Sequence, residues 1–122
     1  MSWHILVVED TDDDVQMVSK VLTHYNIGVT VARSGRACLE TLARLEPTAI
    51  VMDLAMPDLN GWETLVEIRA NPDTAHIPVI AITAYGSERV AQDALAAGFN
   101  GYIPKPIKPT QFVDQIGAII RN

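Results

Sequence analysis

The sequence predicts an α/β fold, a five-stranded parallel sheet with helices on both faces. Two patterns carry that expectation. Short uninterrupted apolar runs recur at Ile5–Val8, Ala49–Met52 and Val79–Ile82, each with the length and composition of a strand buried on both sides. The segments between them carry apolar residues at helical spacing instead. Such alternation favours right-handed crossovers and a doubly wound sheet.

Taken in order, Ile5-Leu6-Val7-Val8 is the first strand. Val15, Val18, Leu22 and Tyr25 then recur at i, i+3, i+7 and i+10, one face of a helix that Gly28 is expected to end. Val29 to Ala32 is a second strand. Ser34 suits the N-cap of a helix running to about Leu45 and stopped by Pro47. Ala49 to Met52 is the third strand. Pro57, Asn60 and Gly61 mark a loop, and a helix from about Gly61 to Ala70 is closed off by Asn71-Pro72. Pro78 stands at the start of the fourth strand, where a missing N–H is tolerated. Ser87 can cap an Ala-rich helix ending at Gly98, and Tyr102-Ile103 form a short fifth strand. Pro109 fits the first turn of a last helix that buries Phe112, Val113, Ile116, Ile119 and Ile120.

The chain has 122 residues, which suits a single domain over 1–122. The first strand follows Met1 almost at once, as a natural N-terminus would have it; the end at Asn122 fits a stand-alone protein or a fragment equally. Nine Lys and Arg against fifteen Asp and Glu give a net charge of −6, which argues against direct nucleic-acid binding. The one cysteine, Cys38, excludes an intramolecular disulfide and a cysteine-based zinc cluster; mid-helix, it is expected to be partly buried and inert. The N-terminus has no basic n-region, and no apolar run approaches a membrane span. The expected setting is the cytoplasm, without membrane insertion.

In open α/β sheets ligands bind beyond the carboxyl ends of the strands. Glu9 and Asp10 follow the first strand, Asp53 the third, Thr83 the fourth and Lys105 the fifth. Converging carboxylates repel one another, and a hard divalent cation such as Mg²⁺ relieves that repulsion. Lys105 adds a compact positive charge and Thr83 a hydroxyl donor. A carboxylate can also act as nucleophile in phosphoryl transfer, forming an aspartyl-phosphate. Any one of these residues alone has an ordinary explanation; their joint placement at successive strand ends is the specific feature. Asp12-Asp13-Asp14 reads as charge complementing a helix N-terminus. His4, His24 and His76 are scattered and read as surface or structural, and Trp3 and Trp62 as covers for apolar surface.

These residues resemble the receiver domains of two-component response regulators. The motifs are ILVVED at 5–10, VMDLAMPDLNG at 51–61, AITAYG at 81–86 and GYIPKP at 101–106, and the resemblance runs through essentially the whole chain. It implies a flavodoxin-like (βα)5 sheet of strand order 2-1-3-4-5. It implies that Asp53 is the phosphoacceptor. Mg²⁺ would be held by Glu9, Asp10, Asp53 and the backbone carbonyl of Ala55. Thr83 would be the switch hydroxyl, Lys105 the phosphate-pairing lysine and Tyr102 the switch aromatic, with a cis bond between Lys105 and Pro106. The implied donor is a sensor histidine kinase or phosphotransfer protein, and the implied output is a changed surface on the fourth helix, fifth strand and fifth helix that binds a protein target. The domain would catalyse only its own phosphorylation and dephosphorylation. Ala55 offers no side chain to hold a hydrolytic water, and Tyr85 is expected to shield the phosphoryl group; both suggest a phosphoryl lifetime unlike that of the fastest chemotaxis-type receivers.

Three alternatives remain. A phosphorylation-independent receiver could act purely as a binding module, although the intact set Glu9, Asp10, Asp53, Thr83 and Lys105 argues against it. A Mg²⁺-dependent aspartyl-phosphate hydrolase would want a carboxylate where Ala55 stands, and a cap for which no residues remain. A nucleotide-binding unit would want a glycine-rich loop after the first strand, which is absent.

Overall fold

The structure is a computed structural model, and it describes residues 2–56, 59–84 and 86–121. Five strands and five helices alternate: β1 (His4–Val8), α1 (Asp12–His24), β2 (Gly28–Ala32), α2 (Gly35–Leu42), β3 (Ala49–Asp53), α3 (Gly61–Ala70), β4 (Val79–Thr83), α4 (Glu88–Ala97), β5 (Gly101–Pro104) and α5 (Pro109–Arg121). All neighbouring strands are parallel, in the order β2-β1-β3-β4-β5. The chain order reverses at β1, which places β1 and β3 side by side at the switch point.

The period-2 alternation of a strand divides the apolar runs between two cores. Leu6, Val8, Ile50, Met52, Val79 and Ala81 face α2, α3 and α4, meeting Cys38, Leu65, Ile68 and Ala94. Ile5, Val7, Ala49, Val51, Ile80 and Ile82 face α1 and α5, meeting Val18, Leu22, Phe112 and Ile116. Every residue of β3 and β4 is buried. A strand packed on both faces and bonded on both edges has little freedom to shift, so the residues at its carboxyl end are held firmly.

Local sequence sets most helix starts. The Ser34 and Ser87 hydroxyls accept from the backbone N–H of Ala37 and Val90. Asn60 and Glu63 form a reciprocal capping box at α3. Gly98 closes α4 with φ +113°, a conformation that favours glycine.

Several sequence expectations need correction. Helix α1 ends at His24 and not at Gly28; Asn26 takes the left-handed turn with φ 61°. Gly28 opens β2 instead, opposite His4, where a Cβ would lie 2.6 Å from the His4 ring. Tyr25 lies past the helix end and is 48% exposed, and Val21 takes its place in the buried stripe. Helix α2 stops at Leu42, with the chain running on through bonds from Arg44 and Leu45 to the Thr41 carbonyl. Cys38 is fully buried rather than partly, and burial pushes its thiol up to about 12. Trp3 and Trp62 do cover core edges, Trp62 edge-on to Phe99.

At the opposite end of the sheet Arg69 ties α3 to two loops. Its guanidinium donates to the carbonyls of Gly98 (3.0 Å), Ala75 (3.0 Å) and Ile77 (2.7 Å) and to Asn100 Oδ1 (2.7 Å). Asn100 Oδ1 also accepts the backbone N–H of Val79 at 2.8 Å. Replacing Arg69 by Met is expected to cost about 2–3 kcal/mol, since several part-buried carbonyls lose a charged donor. Urea denaturation checks this, and hydrogen exchange should quicken first at residues 98–100.

Candidate functional site

The carboxyl rim is built from five loops, and the sheet fixes where each begins. Glu9 follows β1 and is held by its N–H on the Ala32 carbonyl (3.0 Å). Asp53 is the last residue of β3, and the next N–H, of Leu54, donates to Ile82 of β4 at 3.0 Å. Thr83 ends β4 and is buried. Lys105 follows β5, its N–H on the Thr83 carbonyl (3.1 Å), and the Lys105–Pro106 bond is cis.

These loops gather one ammonium and several carboxylates. Lys105 Nζ lies 2.7 Å from Glu9 Oε2, 2.9 Å from Asp14 Oδ2 and 3.0 Å from Asp53 Oδ2. The other Asp53 oxygen, Oδ1, accepts the Ala55 N–H at 3.0 Å. Burial alone would favour a neutral lysine, but the three carboxylates outweigh it and hold the Lys105 ammonium above its ordinary range.

Glu9 is in the opposite position. Burial disfavours its charge, the neighbouring Asp53 adds repulsion, and Lys105 offsets only part; its pKa is raised from 4.5 to about 7. Glu9 is fully buried, and its Oε1 has no hydrogen-bond partner. Oxygens of Glu9, Asp10 and Asp53 lie within 4.8 Å of one another. An orphaned buried carboxylate oxygen, in an all-oxygen cluster with surplus negative charge, fits a hard divalent cation of the Mg²⁺ type.

Of the residues singled out from sequence, Glu9, Asp10, Asp53 and Lys105 therefore converge, with Ala55 bonded to Asp53. Tyr102 of β5 is half-buried and packs on the core beneath α4. Its hydroxyl lies over Gly86 in the β4–α4 loop, so close that a Cβ there would fall 1.4 Å from it. Leu54, Ala55, Trp62, Thr83 and Val90 line a neighbouring cleft of about 170 Å³. Tyr85 and Pro57 lie outside the described residues, so the shielding expected of Tyr85 and the loop-shaping expected of Pro57 lie there too.

The acidic run after β1 does more than complement a helix. Asp12 pairs with Arg33 and Asp13 is exposed, but Asp14 reaches Lys105. Sequence reasoning missed this role. The available signal was distance along the chain: α1 begins two residues after Asp10, so its first turn stands over the same rim.

Residues 5–117 match the family model described as the response regulator receiver domain. The chain belongs to that family. This receiver is 35% identical over 106 residues to the two-component response regulator ORR12 of Oryza sativa subsp. japonica, covering 86% of this chain and 88% of that protein. It also matches the response regulator PleD of Caulobacter vibrioides at 31% identity over 121 residues, there spanning only 27% of the relative's length. Among solved structures, the receiver domain of the sensor histidine kinase PA1611 from Pseudomonas aeruginosa PAO1 superposes with TM-score 0.89 at 29% identity, covering both chains fully; it has a magnesium ion coordinated in its active-site cleft. The chemotaxis protein CheY4 of Vibrio cholerae gives TM-score 0.90 at 25% identity over 98% of this receiver and 99% of that chain. The expected flavodoxin-like sheet is thus the observed one, and the chain is a regulatory receiver domain of two-component signalling. Among the described residues no helix is long and apolar enough to cross a membrane.

The raised Glu9 pKa has a testable sign. Between about 4.5 and about 7 the metal-free folded receiver holds a proton that the unfolded chain has released. The Glu9 contribution is therefore most favourable below about 4.5 and is lost as pH rises through about 7. Its loss across that window is on the order of 3 kcal/mol. Glu9→Gln should remove that slope in urea melts run in chelator; an unchanged slope would show that another group carries it.

Proposed function

We propose that this receiver, taken as one domain over residues 1–122, is a phosphorylation-activated switch whose phosphoacceptor is Asp53. The observation that carries the reading is the posture of that carboxylate. Asp53 is nearly buried at a strand end, with Oδ1 on the Ala55 N–H and Oδ2 on the Lys105 ammonium. A nucleophile held in this way needs little reorganisation to meet a phosphorus atom in line.

The donor is the phosphohistidine of a sensor histidine kinase or phosphotransfer protein, met in the cytoplasm. An Asp53 oxygen forms the new P–O bond as the P–N bond breaks. The imidazole nitrogen keeps the bonding pair, and the ring leaves neutral when its other nitrogen carries a proton. Lys105 follows the charge from the carboxylate to a phosphoryl oxygen, and the Thr83 hydroxyl donates to another. Glu9, Asp10, Asp53 and the backbone carbonyl of Ala55 would hold Mg²⁺. When bound, that ion neutralises the phosphoryl oxygens as their charge builds.

The output runs through the β4–α4 loop. Thr83 begins that loop and the Tyr102 hydroxyl rests against Gly86 within it. A shift of Thr83 toward the phosphoryl group changes the space available to Tyr102, and with it the α4-β5-α5 surface offered to a protein target. Phosphorylation biases this two-state element only as far as the phosphoryl contacts differ between the states.

The test is intact mass after incubation with acetyl phosphate, with and without Mg²⁺. One phosphoryl adduct that requires both Mg²⁺ and Asp53 supports the reading, with Asp53→Asn as the control. A folded protein that binds Mg²⁺ yet takes no adduct would point to a phosphorylation-independent binding module. A second expected outcome concerns Tyr102. Gly86→Ala should drive the Tyr102 ring out of its docked position, since the added methyl overlaps the hydroxyl. A downfield-resolved Tyr102 ring spectrum unchanged by the substitution would show that the loop yields instead.

A further inference from the structure

Three carboxylates meet Lys105, and Asp14 differs from the other two in every respect. The Glu9 and Asp53 side chains are 0% and 8% exposed, whereas that of Asp14 is 42% exposed. Glu9 and Asp53 come from strand ends; Asp14 comes from the first turn of α1. It stands on the solvent side of Lys105, with which it lines a cleft of about 410 Å³ that also includes Ala84, Pro106 and Ile107. An incoming anion must approach the ammonium from an open side, and Asp14 lines one such side.

Asp14 is also held in place. Its Oδ2, the oxygen that meets Lys105, accepts from the Thr11 hydroxyl at 2.9 Å. Thr11 is the N-cap residue of α1, yet its side chain makes no cap bond to the helix backbone. Threonine is among the residues favoured for that cap. Here its hydroxyl is directed to Asp14 instead. An exposed carboxylate free to rotate would sample many rotamers; this one is fixed on Lys105 by a second donor.

We propose that Asp14 is a positioning residue for the phosphoryl-transfer reaction, an intramolecular anion that competes with the incoming phosphoryl group for Lys105 and shields the Glu9, Asp10 and Asp53 cluster from the full lysine charge. This rests on the phosphoacceptor reading above. Two consequences of opposite sign follow. Removing the Asp14 charge leaves Lys105 freer to receive an anion, so phosphorylation by an anionic donor speeds up. It also leaves more positive charge facing the acidic cluster, so Mg²⁺ binds more weakly.

The experiment compares the full chain with Asp14→Asn, Asp14→Glu and Thr11→Val. Mg²⁺ affinity is measured by calorimetry without donor, and the rate of the phosphoryl adduct from acetyl phosphate is measured at saturating Mg²⁺. In that reaction an Asp53 oxygen bonds phosphorus while acetate departs with the P–O bonding pair, and no proton is needed. Asp14→Asn should raise the adduct rate about 3- to 10-fold at low salt, with the gain shrinking at high ionic strength. It should weaken Mg²⁺ binding by about the same factor. Asp14→Glu should return both toward the parent, and Thr11→Val should shift both in the Asn direction by less. A merely structural role would not move the two readouts oppositely. Changes of the same sign, or no change in either, would overturn the proposal. If the parent binds Mg²⁺ but takes no adduct, the phosphoacceptor reading fails alone, and the Mg²⁺ arm decides the shielding role of Asp14. Neither binding nor adduct would overturn both.

Discussion

The Lys105 ammonium is the constraint on which the carboxyl rim depends. Glu9, Asp14 and Asp53 all lie within 3.0 Å of it, and Asp10 stands beside them. A single positive charge cannot satisfy that many carboxylates at once. Glu9, the most deeply buried, bears the largest burden and is driven toward its protonated form. Removing Lys105 from this arrangement would leave buried carboxylates facing one another with nothing between them, a costly state in a poorly solvated rim.

Such an arrangement persists only if the scaffold beneath it cannot relax. β1, β3 and β4 supply that rigidity. β3 and β4 are buried throughout, and the side chains of all three alternate between two packed cores. The register that pairs Val8 with Met52 and Asp53 with Ile82 sets the stagger of the rim residues directly. Beyond the strands, Tyr102 of β5 rests its hydroxyl on Gly86, ahead of α4. Strands held in this way have little room to absorb a change of charge at the rim.

The strands were the most legible part of the sequence, because strands buried on both faces read as continuous apolar runs. Capping residues were legible for a similar reason, since Ser34, Asn60 and Ser87 act within one turn of their own position. Elements whose fate rests on distant partners were not. Gly28 looked like a helix stop, but it is required by the His4 ring on a neighbouring strand. Tyr25 continued the apolar period past the point where backbone geometry had already left the helix. Of the residues proposed for the site, Glu9, Asp10, Asp53, Thr83 and Lys105 were legible because each ends a strand or stands within two residues of its end. Asp14 was not, because its neighbours in sequence supply an adequate local reason for its charge, and its contact with Lys105 spans 91 residues.

That contact changes what the surplus of negative charge does. If the rim held only Glu9, Asp10 and Asp53, every carboxylate near Lys105 would also belong to the cluster suited to a cation. Asp14 lies outside that cluster and yet shares the lysine. The lysine charge is thereby divided between two buried carboxylates, Glu9 and Asp53, and an exposed one, Asp14. On the proposed reading, a phosphoryl group arriving at Asp53 would have an ammonium to recruit without stripping Glu9 of its partner. The exposed position of Asp14 is what makes this division workable, because a displaced carboxylate there returns to water at little cost.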